Sequence, residues 1–153
     1  MRAAMAMWKI LILMGFITGS TTVTRYERRG YEYWVNGHRN YWEARDACRN
    51  SGGHLVDIKT QGLENFLKDT FLGNRNIVWI GLIEQSGGWK WSDGTTSHVS
   101  GGWHWHEPND GFTVWDNQDC GSWVKVLGDW GWDDRYCDDR YASICQRGNN
   151  ASA

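Results

Sequence analysis

Apolar positions in "YWEARDACRNSGGHL" recur at near-helical spacing through Trp42, Ala44, Ala47 and Cys48, then stop at Gly52-Gly53. The pattern predicts a short amphipathic helix ended by glycine. "TQGLENFLKDTFLG" repeats it, with Leu63, Phe66, Leu67, Phe71 and Leu72 as the stripe and Gly73 as the stop, and predicts a second helix. After Gly73 the texture changes. "NIVWIGLIE" is an unbroken apolar run of strand length, suited to a strand buried on both faces. In "GGWKWSDGTT", Trp89 and Trp91 alternate with Lys90 ahead of a Ser-Asp-Gly turn. Residues 92–119 are rich in Gly, Asp and His with little periodicity, and a loop of that length inside a compact domain usually carries function. Strand character returns in "CGSWVKVL" and "YASICQ", joined by "GDWGWDDRYCDD". Two helices followed by strands give an α+β order with no internal repeat.

A chain of 153 residues has room for one domain with a core. Its 41% hydrophobic and 22% charged residues exclude disorder except at the ends. Residues 21–30 are polar and basic, and the chain closes on "QRGNNASA", so the domain is expected over 31–147, with a loose segment at 21–30 and a flexible tail at 148–153. Twelve tryptophans and nineteen glycines favour short strands and loops over long helices.

The first twenty residues hold Arg2 and Lys9 but no acid, then "ILILMGFI" (10–17) and Thr18-Gly19-Ser20. That is the layout of a secretory signal peptide, 1–20, cleaved near Ser20. The alternative, a retained anchor, is disfavoured because Lys9 interrupts a run already short of the ~20 residues a membrane span needs. Loss of Arg2 and Lys9 takes the formal charge from -2 to -4, which gives no support for nucleic-acid binding. The mature chain is expected to be secreted and extracellular, with no membrane span. Cys48, Cys120, Cys137 and Cys145 are then expected to form two disulfides. Spacing leaves three pairings open, and a zinc site lacks close pairs of the C-x2-C kind.

Four motifs in order resemble the C-type lectin-like domain over about residues 31–147. They are "WIGL" (Trp79 to Leu82), "WKWSDG" after it, "W-x3-EPN" (Trp103 to Asn109) and "WDD-x2-C" (Trp132 to Cys137). The resemblance implies two helices and two small antiparallel sheets with a long calcium-binding loop region. It also implies the pairings Cys48 to Cys145 and Cys120 to Cys137, in a short form of the family with four cysteines.

Calcium takes six to eight oxygen ligands, so several side chains must converge. The resemblance implies that Glu107, Asn109, Gln118, Asp133 and Asp134 hold Ca2+. It further implies a cis bond before Pro108, the only proline in the chain, an X-Pro bond being the kind that adopts cis at small cost. Two positions depart from the family: Gln118 stands where a glutamate is usual, and Asp133 where an asparagine is usual. The set of three carboxylates and two carboxamides is unchanged, which reads as a compensated exchange. Glu107 beside Asn109, and Gln118 beside Asp133, still offer each of two sugar hydroxyls an acceptor and a donor.

"EPN" resembles the group that binds mannose, fucose and N-acetylglucosamine. The sugar-binding set is therefore expected to be Glu107, Asn109, Gln118 and Asp133, with Trp115 either stacking on the sugar or pinning the loop. Glu84, Asp110 and Asp119 are candidates for a second calcium site, although "IEQSGGW" looks too short to complete it. On a strand, His104 and His106 would share one face, giving a zinc or pH-sensing pair, against the blander reading of loop histidines. Trp79, Trp89 and Trp103 are expected in the core, and Asn150-Ala151-Ser152 is a glycosylation sequon close to the end.

The leading expectation is a secreted, calcium-dependent lectin for mannose-type glycans, not an enzyme, weak at one site and helped by several copies, as a homo-oligomer would supply. The alternative is a calcium-independent module of the same fold that binds protein, ice or mineral. A hydrolase pairing Glu107 with Asp133 is the third reading.

Overall fold

The computed structural model describes residues 23–97, 102–111 and 117–148. The signal-peptide expectation, Trp115, the sequon and the tail beyond Gly148 lie outside the described residues.

Tyr41–Asn50 form α1. Asn40 caps it by accepting from the Glu43 N–H, and the Glu43 side chain returns the bond to the Asn40 N–H, a capping box. The buried stripe is Tyr41, Ala44 and Cys48, not Trp42, which is exposed. The sequence reading was one residue out because the helix starts at Tyr41, whose hydroxyl donates to the Leu82 carbonyl in the core. The second helix, α2 (Gln61–Leu67), is capped by Thr60 and continues as a π-helical turn, Lys68–Leu72, that buries Phe71 and Leu72. Gly73 ends it at φ 40, where a side chain would be strained.

The strands are β1 (Tyr26–Arg28), β2 (Tyr31–Arg39), β3 (His54–Leu55), β4 (Ile77–Gln85), β5 (Gly88–Lys90), β6 (Cys120–Val126), β7 (Asp129–Arg135) and β8 (Tyr141–Gly148). Their order is β1-β2-β8-β4-β6-β7, with β3 on β8 and β5 on β4. The α+β class holds. The two sheets expected are joined into one mixed sheet, because β4 and β8 pair in parallel at Val78–Ala142 and Trp79–Ser143. The segment expected to be loose at 21–30 contains β1, which pairs with β2 from Tyr26–Tyr33 to Arg28–Tyr31. "GDWGWDDR", read as part of a connection, is β7. Its alternation was masked because both faces of the strand are covered from Gly131 to Asp134.

β4 is buried on both faces from Val78 to Leu82. Gly81 is required there: a Cβ would lie 2.4 Å from both Asp57 Oδ1 and Ser92 Oγ and 2.8 Å from the Leu55 carbonyl. Trp79 and Trp89 are core residues, whereas Trp103 is only partly buried against the core. Cys48–Cys145 ties α1 to β8, and Cys120–Cys137 ties the start of β6 to the residue pair after β7. Among the described residues no helix is long and apolar enough to cross a membrane.

Candidate metal centre

The site is built on the β6–β7 hairpin. Leu127 (φ 51) and Gly128 (φ 101) make its two-residue turn, the left-handed geometry that matches strand twist. The register sets Ser122 opposite Asp133, Gly121 opposite Asp134 and Cys120 opposite Arg135. Asp133 and Asp134 therefore lie at the strand end nearest Gln118, which precedes β6 by two residues.

The loop that brings Glu107 and Asn109 is anchored by tryptophans. Trp103 stands edge-on to Trp89 at 4.7 Å and to Trp132 at 5.9 Å. Backbone bonds run from the Trp132 N–H to the Gly102 carbonyl (2.7 Å) and from the His104 N–H to the Trp132 carbonyl (2.9 Å). Gly102, at φ 89, allows that approach, since a Cβ would meet the Trp132 ring at 2.6 Å. Beyond the anchor the Glu107–Pro108 peptide is cis.

Asp134, only 1% exposed, draws the loop onto the hairpin by accepting the N–H groups of Asn109 (3.0 Å) and Asp110 (2.7 Å). Ligand oxygens of Glu107, Asp133 and Asp134 lie within 4.8 Å of one another. Glu107, Asn109, Gly111, Gln118, Asp133, Arg135 and Tyr136 line one open pocket. All five residues expected as ligands are thus gathered in one place.

The electrostatics are those of carboxylates short of positive charge. Burial, the contact with Asp134, and the charges of Asp133 and Asp134 push the Glu107 carboxyl from 4.5 up to about 8, against the pull of Arg135. Burial also raises Asp133, with Arg135 opposing it. Glu107 Oε1 accepts from the Asn109 amide at 2.8 Å, while the buried Oε2 has no donor among the described residues. A carboxylate oxygen in that position is suited to a proton, a cation or a water. The all-oxygen donor set, with carboxylates and carboxamides on an open pocket, fits calcium.

Arg135 was missed by the sequence reading. Its Nη2 donates to Asp133 Oδ2 at 2.7 Å. The signal was present: with "DDRYC" read as a strand, Asp133 and Arg135 at i and i+2 share a face. Glu84, Asp110 and Asp119, the candidates for a second calcium site, converge within 4.8 Å. Burial and the charges of Asp119, Asp110 and Asp134 raise the Glu84 carboxyl. The histidine pair does not form. His104 is partly buried with Nε2 3.1 Å from the Val124 carbonyl, whereas His106 is exposed at φ 68 beside the Trp105 ring.

The family profile for the Lectin C-type domain matches residues 37–147, and the chain belongs to that family. Human asialoglycoprotein receptor 2 is 32% identical over 130 residues, covering 82% of this chain and 40% of the receptor. The chain thus spans about two fifths of that relative's length. The type-2 ice-structuring protein of Brachyopsis segaliensis is 35% identical over 109 residues, covering 69% of this chain and 60% of that protein. Among solved structures, the mouse scavenger receptor C-type lectin carbohydrate-recognition domain superposes with a TM-score of 0.70 at 25% identity, covering 84% of this chain and 97% of the domain.

Proposed function

We propose that the protein is a secreted, calcium-dependent glycan-binding module without catalytic activity, selective for mannose, fucose or N-acetylglucosamine-type sugars. The observation that carries this reading is the convergence of Glu107, Asp133 and Asp134 carboxylate oxygens within 4.8 Å, with the buried Glu107 Oε2 left without a donor among the described residues. Glu107, Asn109, Gln118, Asp133 and Asp134 would hold Ca2+, which would supply a Lewis-acidic centre for sugar hydroxyls. Glu107 and Asp133 accept from the sugar hydroxyls, and the Asn109 and Gln118 amides donate to them. Several copies acting on one glycan surface give the useful avidity.

Linkage provides the test. Calcium is titrated calorimetrically with and without free methyl mannoside. If the sugar sits on the ion, mannoside tightens calcium binding by the factor by which calcium tightens mannoside. Unchanged calcium affinity at saturating mannoside contradicts the reading.

A second reading rests on the loop's own closure. Asp134 already takes two loop N–H groups, and the Gly111 N–H donates to Asn109 Oδ1 at 2.8 Å. A loop so held would serve a calcium-independent surface for protein, ice or mineral. Ligand capture that survives chelator favours this reading.

A further inference from the structure

The pocket is electrostatically uneven. Three clustered carboxylates, Glu107, Asp133 and Asp134, share one basic side chain of the pocket wall, Arg135, which is paired with Asp133, and the neighbouring Gln118 side chain is neutral. Against a dication, two uncompensated carboxylates leave the loaded centre close to neutral, so it does not repel an anion. The second acidic cluster, Glu84, Asp110 and Asp119, is not among the groups that act on Glu107 or Asp133.

A guanidinium carries five N–H donors in a fixed fork. Among the described residues, that of Arg135 spends its one hydrogen bond on Asp133 Oδ2, and its side chain is a third exposed at the pocket wall. Its planar fork matches planar or tetrahedral oxyanions.

We infer that Arg135 is a specificity-determining residue that recognises an anionic substituent, a carboxylate or a sulfate, on the sugar held at the Glu107, Asn109, Gln118 and Asp133 pocket. This rests on the glycan-binding reading above. The ligand class is then an acidic glycan. Its diol faces the ion and its anion faces Arg135, while Asp133 Oδ1 stays available because Arg135 holds Oδ2.

The test compares a neutral mannoside with the same mannoside carrying a sulfate or a carboxylate, titrated into the calcium-loaded protein and its Arg135→Gln and Arg135→Lys variants. Near-ultraviolet circular dichroism checks the fold of each. One charge-assisted contact corresponds to roughly tenfold in affinity, so the wild type is expected to favour a charged mannoside by about that factor, less at high salt. Which of the two anions shows it identifies the source. Arg135→Gln removes the preference and Arg135→Lys keeps part of it. Calcium affinity without sugar does not weaken in Arg135→Gln, because Asp133 loses a competitor. Equal binding of neutral and charged sugars by the wild type overturns the inference and leaves the lectin reading standing. So does a preference that survives Arg135→Gln, or calcium binding that weakens about tenfold in that variant, which would make Arg135 a positioning residue for the metal. No calcium-dependent binding of any mannoside removes both readings.

Discussion

At the scale of the residue, Glu107 and the Gln118/Asp133 exchange decide the chemistry. A Glu107 carboxyl raised from 4.5 to about 8 holds its proton more tightly in the folded, calcium-free protein than in the unfolded chain. Its stabilising contribution is complete below about pH 4.5 and is lost as pH rises through about 8. The calcium-free melting temperature is therefore expected to fall across that interval, and the fall to shrink in saturating calcium or in Glu107→Gln. A melting temperature flat over the interval would contradict the crowding of the three acids. The exchange makes a separate prediction. Gln118→Glu alone adds a fourth carboxylate, and Asp133→Asn alone leaves two acids and an unpaired Arg135. Each is expected to disturb mannoside affinity more than the double change does. Titration of all three variants checks this: equal losses across the three would contradict a compensated exchange, and independent positions would make the double loss the sum of the single ones.

At the scale of the element, the β6–β7 hairpin carries Asp133 and Asp134, two of the five proposed ligands, so its packing against β4 is expected to matter for binding. Gly121 pairs with Asp134, and a Cβ there would meet Leu82 Cβ at 2.4 Å. Gly121→Ala is expected to cost about 1–3 kcal/mol in a denaturant titration, as overpacking does, and to weaken calcium binding by shifting Asp134. The elements most legible in the sequence were those whose burial is simple. β4 showed as an apolar run because both faces are covered, and α1 by its periodicity and its glycine stop. β7 was illegible because Asp133 and Asp134, polar yet buried, broke any strand alternation. β2 and β1 passed unnoticed because β2 is ordered by pairing with β8, over a hundred residues away, and β1 in turn by pairing with β2. The acids of the site were legible through their motifs. Arg135 was not, since its role depends on β7 being a strand.

At the scale of the whole molecule, the two disulfides close loops of unequal size, with separations of 97 and 17 residues. In the loop-entropy account such closures are worth roughly 4.7 and 3 kcal/mol. Removing Cys48–Cys145 is expected to unfold the domain at lower denaturant than removing Cys120–Cys137. The smaller bridge holds the entry of β6 against the end of β7, so its loss is expected to act more on calcium affinity than its share of stability suggests. Stability and calcium titrations on the two double-serine variants compare these effects. The central claim, that this fold presents glycans to an ion held at Glu107, Asn109, Gln118, Asp133 and Asp134, is tested most directly by one assay. The protein, presented multivalently, is applied to a glycan array in millimolar calcium and again with chelator. The account predicts signal on mannose- or fucose-type glycans that chelator abolishes. A folded protein that binds no glycan in calcium, or binds equally well in chelator, would contradict it.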